Sequence, residues 1–104
     1  MGKIRIDVPR EKIAEFCEKW QIQEFALFGS VLRDNFSSNS DIDVLVTFRE
    51  DAKHTLFDVV RMENELTELF GRKVDLVSRR GIESSRNYLR RNVILSSAEA
   101  VYAA

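Results

Sequence analysis

The chain has 104 residues, of which 44% are hydrophobic and 32% charged, and this length and composition predict one globular domain over residues 1–104. Its formal net charge of −1 argues against a domain that grips the nucleic-acid backbone, so no direct nucleic-acid binding is expected. The single cysteine excludes an internal disulfide, and the lack of an apolar signal region or a long apolar run predicts a cytoplasmic protein without membrane contact.

The first predicted elements are a helix and a strand. Pro9 suits the first turn of a helix. Apolar residues recur at helical spacing over residues 9–20, namely Ile13, Phe16, Cys17 and Trp20. The segment IQEFALF, residues 22–28, is predicted to be a strand that stops at Gly29.

A polar segment separates this strand from the next one. A short helix is expected to begin near Ser30 and to end before the Ser/Asn-rich loop at residues 37–40. The segment DIDVLVTF, residues 41–48, is the clearest strand of the sequence, because apolar residues occupy alternate positions along it.

The longest predicted helix covers residues 55–70. Thr55 is a suitable N-cap, and Gly71 is a typical stop at the C-terminal end. The apolar stripe of this helix is predicted to comprise Leu56, Val59, Val60, Leu66 and Phe70. Glu63 falls on the stripe, and we expect its carboxylate to extend to solvent rather than to reach a functional site.

The last third of the chain adds shorter elements. RKVDLVS, residues 72–78, is predicted to be a strand, and a final helix is expected over about residues 84–95. EAVYA, residues 99–103, is predicted to be a short terminal strand. Strands and helices joined by short connections predict an α/β (α+β) fold, in which a small mixed β-sheet carries helices mainly on one face.

Alternation along two of these strands places acidic side chains on one face. Asp41 and Asp43 lie about 7 Å apart along their strand and share a face, because successive strand residues point to opposite sides. Val44 and its apolar neighbours occupy the other face. Asp75 likewise points away from Leu76. If helices cover the apolar face of both strands, the three carboxylates converge on the other one.

Three converging carboxylates call for a cation between them, since like charges so close are otherwise unfavourable. Ligand sets made only of oxygen suit Mg²⁺, which binds through carboxylates and substrate phosphates. Two such ions can activate an attacking hydroxyl and stabilise a leaving oxygen at phosphorus. Taken singly, each aspartate is better explained by a plain role: Asp41 as a cap of the strand start, Asp43 and Asp75 as solvated strand residues. Taken together, they predict a metal site of Asp41, Asp43 and Asp75.

The Gly-Ser pair that follows the first strand predicts an anion site. A strand that turns at Gly29 and Ser30 directly into a helix presents backbone N–H groups, which favour phosphate. Ser30 adds a hydroxyl donor, although it fits a plain N-cap as well. Arg33 lies one helical turn further on, where it suits a phosphate ligand and a solvated surface charge equally.

These residues carry a family resemblance. Gly-Ser, ten residues and then Asp-Ile-Asp (Gly29 to Asp43) match the GSx10DxD signature of the DNA polymerase β-like nucleotidyltransferase superfamily. The later segment GRKVDLV resembles the part of that family that supplies a third carboxylate. Size and layout over residues 10–102 are similar to those of the minimal nucleotidyltransferases, the MNT-type antitoxins encoded beside HEPN-domain toxins.

The resemblance implies a polymerase β-like fold and a chemistry, the transfer of AMP from ATP to a hydroxyl with release of pyrophosphate. Gly29 and Ser30 would hold the terminal phosphates, and Asp41 and Asp43 would bind two Mg²⁺ ions. Asp75 would help to hold the catalytic ion near the acceptor. In the family's toxin–antitoxin systems that acceptor is a tyrosine of the HEPN toxin, which AMPylation inactivates. A hetero-oligomer with the toxin is therefore conceivable.

Two other functions stay open at this stage. One is an antitoxin that masks its toxin by binding alone, which a degraded set of carboxylates would favour. The other is a nucleotidyltransferase that modifies a small molecule or RNA. The intact carboxylates argue against the first, and the near-neutral charge together with the lack of an added domain argues against the second.

Several conspicuous residues have plainer explanations. The arginines of the C-terminal third, Arg79, Arg80, Arg86, Arg90 and Arg91, fit a solvated helix face at least as well as a cluster that docks a partner or steadies a triphosphate. His54 has no companion at ligand spacing, so zinc chemistry is not indicated. Cys17 and Trp20 are expected to pack in the core.

Overall fold

The computed structural model describes residues 6–33, 36, 37 and 39–104. Its strands are β1 (Ile22–Phe28), β2 (Ile42–Phe48), β3 (Val74–Ser78) and β4 (Glu99–Ala103). Its α-helices are α1 (Arg10–Lys19), α2 (Leu56–Phe70), α3 (Arg79–Glu83) and α4 (Tyr88–Ser97), and a 3-10 turn covers Gly29–Leu32. In these described ranges, no helix is long and apolar enough to cross a membrane.

The strands form one mixed sheet in the order β3-β2-β1-β4. β1 pairs with β2 and with β4 in antiparallel orientation, whereas β2 and β3 are parallel. A parallel pair needs a crossover connection, and α2 supplies it between β2 and β3. β3 is therefore an edge strand, and β2 is its neighbour in the sheet.

α1 and α2 cover one face of the sheet and enclose the larger core. The alternate residues Phe25 and Leu27 of β1 and Val44 of β2 are fully buried there, as period-2 alternation predicts. Met62 and Leu66 of α2 meet them from above and are also inaccessible to solvent. The predicted pairing of a helical layer with the Ile/Val face of the strands is thus confirmed.

The ends of α2 agree with the sequence, but part of its predicted apolar stripe does not. The Thr55 side chain and Asp58 form a reciprocal capping box, and Gly71 ends the helix in the left-handed conformation at φ 70°. Leu56 and Val60, however, are 78% and 47% exposed. The side chains that face the sheet are those of Val59, Met62, Leu66 and Leu69 instead. The helix is therefore rotated about its axis relative to the predicted stripe.

The second face of the sheet is also partly covered, although the larger core lies under α1 and α2 as expected. Ala26, Phe28 and Leu45 form a smaller core there with Ile82 of α3 and Ile94 of α4. The helix predicted over about residues 84–95 is present as α4, which begins four residues later, at Tyr88, whereas α3 was not predicted. Each has its own N-cap: Ser78 accepts the Gly81 N–H for α3, and Asn87 accepts the Arg90 N–H for α4.

Candidate active site

Two of the acidic residues singled out in the sequence lie side by side on neighbouring strands. Asp43 of β2 and Asp75 of β3 are register partners in the parallel ladder, so their side chains leave the sheet on the same side. That side is opposite to the face on which Val44 is buried. Asp41 lies directly before β2, where its carbonyl oxygen accepts a hydrogen bond of 3.4 Å from the Ser30 hydroxyl.

The charges around Asp43 show how these residues influence one another. Burial raises the pKa of the Asp43 carboxyl, and the negative charges of Asp75 and Asp41 raise it further. Arg90 and Arg33 act in the opposite direction and lower the pKa of this carboxyl. Three carboxylates and two guanidinium groups therefore lie within electrostatic reach of one point. Such a balance of charges is typical of a site that binds metal and phosphate together.

The Gly-Ser turn packs directly against Asp43. Gly29 has φ +78°, and a β-carbon at this position would overlap Oδ2 of Asp43 and stand 3.3 Å from its Cγ. Only glycine combines this left-handed conformation with so close an approach. The turn that carries Ser30 is consequently held beside the β2 carboxylate by the backbone itself.

The helix expected to begin near Ser30 is much shorter than predicted. It is a single 3-10 turn, Gly29–Leu32, and the chain is extended again at Arg33, with φ −113° and ψ 159°. Residues 34, 35 and 38, over which the helix and the following loop were predicted, lie outside the described residues. A helix dipole therefore contributes nothing substantial here. The groups that can bind an anion here are the Ser30 hydroxyl, the backbone N–H groups of the turn and nearby cations.

An open cavity of about 620 Å³ lies between this turn and α4. Gly29, Ser30, Arg33 and Asp43 line it from the sheet side. α4 lines the opposite side, where Arg90 is the residue that acts on Asp43. Two predicted phosphate ligands, Ser30 and Arg33, thus share one cavity with a carboxylate. A volume of this size accommodates a small-molecule ligand.

The five C-terminal arginines do not act as one cluster. Arg79 donates to Oε1 of Glu24 at 3.4 Å and to the Thr47 hydroxyl at 3.2 Å, which ties the start of α3 to the sheet. Arg91 donates to the Glu83 carbonyl at 3.3 Å. Of the five, Arg90 is the one that lines the cavity beside Asp43. Arg90 is nevertheless exposed, so it lies on a solvated helix face and lines the cavity at the same time.

Glu63 is a structural residue that the sequence interpretation placed wrongly in solvent. Its Oε2 accepts a hydrogen bond of 2.8 Å from the Leu76 N–H. Leu76 follows Asp75 on the edge strand β3. Because its N–H is bonded to Glu63 of α2, this amide is not paired with β2. Glu63 thus occupies the unpaired side of β3 next to a candidate metal ligand. The position on the apolar stripe of α2 was visible in the sequence, but the partner was not.

The donor chemistry of the acidic residues fits a hard divalent cation. Among the residues that the structure describes, no three acidic, histidine or cysteine side chains stand ready as a metal-binding group. Burial raises the pKa of Asp43 most, and the charges of Asp75 and Asp41 raise it further. A cation between these carboxylates would relieve their repulsion. Carboxylate oxygens beside a cavity that can hold a phosphate-bearing ligand are the ligands that Mg²⁺ uses. The three-aspartate ligand set stays a prediction.

Three other conspicuous residues are accounted for by packing. Cys17 is fully buried in the main core, and burial raises the pKa of its thiol to about 12. His54 lies with Nε2 at 2.6 Å from the Trp20 carbonyl oxygen. Trp20 packs against the edge of the main core and donates its indole N–H to Glu65 at 3.2 Å. They play no part in the cavity beside Asp43.

Comparison with known proteins adds sequence relatives to this geometry. A family model described as a nucleotidyltransferase domain matches residues 10–101. Curated relatives from Methanocaldococcus jannaschii and Thermococcus cleftensis are 30–36% identical over segments that cover 66–86% of their own lengths. The T. cleftensis relative is named protein adenylyltransferase MntA, and its alignment is 34% identical over 67% of this chain and 69% of that protein.

Solved structures show the same architecture. One, described as a candidate minimal nucleotidyltransferase, is 36% identical, has a TM-score of 0.66, and is matched over 86% of each chain. Another is a tri-AMPylated HEPN toxin from Shewanella oneidensis in complex with an MNT antitoxin. It is 20% identical, with a TM-score of 0.61 over 91% of this chain and 70% of that one, so this likeness shows a shared fold.

Proposed function

Because this chain belongs to the nucleotidyltransferase domain family, we propose that it transfers AMP from ATP to a hydroxyl group of a partner protein. The acceptor we propose is a tyrosine of a HEPN-domain toxin, so that the chain acts as the antitoxin of a pair. The relative named protein adenylyltransferase MntA and the complex of an AMPylated HEPN toxin with an MNT antitoxin support this choice.

One observation carries the proposal. Asp43, the register partner of Asp75, packs against Gly29, and both residues line a cavity together with Arg33 and Arg90. The carboxylates suit metal ions, whereas the hydroxyl of Ser30 and the guanidinium groups of Arg33 and Arg90 suit phosphates. A site that only masked a partner would need no such combination of opposite charges. The geometry therefore favours catalysis over masking.

The proposed reaction is a displacement at the α-phosphorus of ATP. The acceptor oxygen forms the new bond to phosphorus, the bond to the bridging oxygen of the β-phosphate breaks, and pyrophosphate leaves. The hydroxyl proton passes to Asp75 or to solvent. Two Mg²⁺ ions held by Asp41, Asp43 and Asp75 would neutralise the phosphates and activate the acceptor. The contribution of the chain itself is positioning and electrostatic stabilisation.

The test is incubation of the chain with ATP labelled at the α-phosphate, Mg²⁺ and the product of the neighbouring gene. We expect label on the partner with the wild-type chain and a loss of at least about 100-fold with Asp43→Ala. Asp51→Ala, an exposed loop position away from the cavity, is the matched control and should transfer normally. If no label is transferred and Asp43→Ala still neutralises the toxin, the masking alternative is correct.

A further inference from the structure

α4 presents two adjacent rows of side chains to the cavity. The inner row contains Arg90 and Ile94, four residues apart, and Ile94 anchors the helix to the sheet with 4% exposure. The outer row contains Leu89, Val93 and Ser97, again four residues apart. Residues at this spacing lie one above the other on a helix, so each row forms a continuous wall.

The outer row is unusually apolar for a surface so open to solvent. Leu89 is 76% and Val93 55% exposed, although both line the cavity. A large aliphatic pair left uncovered at a cavity wall indicates an apolar ligand surface. The opposite wall, with Ser30, Arg33 and the Asp43 carboxylate, is polar and charged, and carries groups for phosphate and for a phosphate-bound cation. The cavity thus has one end suited to phosphate and one suited to an uncharged, flat group.

We propose that α4 forms the nucleobase subsite of this cavity, with Leu89 and Val93 against the face of the base and Arg90 toward the phosphates. The proposal rests on the nucleotide-dependent function proposed above and assigns the part of the site that selects the nucleoside. Both ends of a nucleoside triphosphate are then matched: the apolar wall takes the base, and the polar wall takes the charges.

Asn87 adds a polar group at the same end of the cavity. Its side-chain carbonyl oxygen caps α4 by accepting the Arg90 N–H at 3.1 Å. This bond fixes the amide plane, and the amide NH₂ group stays available as a hydrogen-bond donor. Because Asn87 lines the cavity beside Leu89, it can donate to a ring nitrogen or carbonyl of the base that the apolar wall holds.

The same exposed pair also suits contact with a partner protein, so the experiment has to separate the two. Equilibrium titration of the chain with ATP and, separately, with inorganic tripolyphosphate, both in the presence of Mg²⁺, does so. Tripolyphosphate carries the charges but no base. If the pair forms a base subsite, its replacement weakens the binding of ATP alone. If the pair forms a partner-docking surface, its replacement changes the binding of neither ligand.

The variant is Leu89→Asn with Val93→Thr, which keeps size and removes apolar character. Its matched control is Leu56→Asn with Val60→Thr, an equally spaced and comparably exposed pair on α2, with 78% and 47% exposure, that does not line this cavity. We expect the α4 variant to raise the Kd for ATP about tenfold, as loss of roughly one buried aliphatic contact predicts. The α4 variant should bind tripolyphosphate as the wild type does, and the control variant should bind both ligands as the wild type does.

Each other outcome overturns the assignment. An ATP Kd within twofold of wild type shows that α4 does not contact the base, and a raised KM for the acceptor would then place the partner there. Equal weakening of ATP and tripolyphosphate means that the helix has shifted. A wild-type chain that binds neither ligand overturns the proposed function as well, whereas normal ATP binding by the α4 variant overturns the base subsite alone.

Discussion

Gly29 and Asp43 approach each other so closely that the turn has no room for a β-carbon. An added methyl group would overlap Oδ2 of Asp43, and the glycine has φ +78°. We expect Gly29→Ala to displace the Asp43 carboxylate and to lower AMP transfer about 100-fold, since small displacements at a reacting centre have effects of this order. The free energy of unfolding should fall by about 2–4 kcal/mol, as measured by denaturant unfolding.

Gly71 provides the matched control for that substitution. It also has a left-handed conformation, at φ +70°, but nothing lies within 4 Å of an added β-carbon. Gly71→Ala should therefore cost only the backbone strain, about 1 kcal/mol, and leave transfer unchanged. If both variants lose activity equally, the loss follows from strain or instability and not from the contact with Asp43.

Asp43→Asn is expected to stabilise the protein at neutral pH while abolishing transfer. The pKa of Asp43 is raised by burial and by Asp75 and Asp41, so the native state takes up a proton before the unfolded state does as pH falls. Stability is then lost as pH rises through that window. The gain in the variant should be about 0.5–1 kcal/mol, because the half-exposed carboxylate is screened.

Thermal unfolding with and without Mg²⁺ checks this prediction. Mg²⁺ should raise the Tm of the wild-type protein and have little effect on Asp43→Asn, since a ligand stabilises only the state that binds it. Asp58 is a control of opposite sign: hydrogen bonds from Thr55 lower the pKa of its carboxyl, so its contribution is lost as pH falls. A wild-type Tm that does not respond to Mg²⁺ would contradict the metal site.

The strand period was enough to predict which faces of β2 and β3 carry the acidic residues, because alternation is a local property of the backbone. The pairing of Asp43 with Asp75 was not predictable to the residue, since the parallel register depends on how α2 crosses the sheet. The turn at Gly29 was placed correctly but its length was not. Local sequence does not distinguish a 3-10 turn from the start of an α-helix.

The buried faces of the helices were harder to predict than those of the strands, because more than one apolar stripe fits the same helical sequence. On α2, Val60 and Met62 are both apolar, and only packing decides that Met62 is buried while Val60 is exposed. In the C-terminal third, a break between Glu83 and Tyr88 sets the rotation of α4 and with it the direction of Arg90. Ser78 and Asn87, the N-caps of α3 and α4, are the residues in the sequence that indicate two separate helices.

Glu63 is predicted to be a positioning residue for Asp75. Its carboxylate accepts the Leu76 N–H at 2.8 Å, so Glu63→Ala leaves the outer side of edge strand β3 unpaired at the residue after Asp75. The free energy of unfolding should fall by about 1.5–3 kcal/mol, the range for a hydrogen bond to a charged group. Hydrogen exchange at the Leu76 amide should accelerate, and stabilisation by Mg²⁺ should shrink.

Glu63→Gln serves as the rescue for this test because its amide oxygen can still accept the Leu76 N–H. Exchange protection and Mg²⁺-dependent stabilisation should return most of the way to wild type. A merely structural role predicts a different pattern: Glu63→Ala would lower Tm but leave the Mg²⁺ response intact. That pattern would remove Glu63 from any account of the site.

Arg90 is predicted to act on the nucleotide and on Asp43 at once. It lines the cavity, and its charge lowers the pKa of Asp43. Arg90→Gln should raise the KM for ATP about tenfold or more, as loss of a charge-assisted hydrogen bond predicts. With the cation gone, the pKa of Asp43 rises further. Because the ionised carboxylate is the active form, the acid limb of the pH profile of kcat/KM should move to higher pH.

Arg86→Gln is the control, since Arg86 is exposed on the segment before α4 and does not line the cavity. It removes the same charge from the chain, so any general effect of net charge on ATP attraction appears in both variants, and only Arg90→Gln should move the acid limb. If the two pH profiles coincide, Arg90 acts through the long-range field of the protein. Its contact with the site would then be incidental.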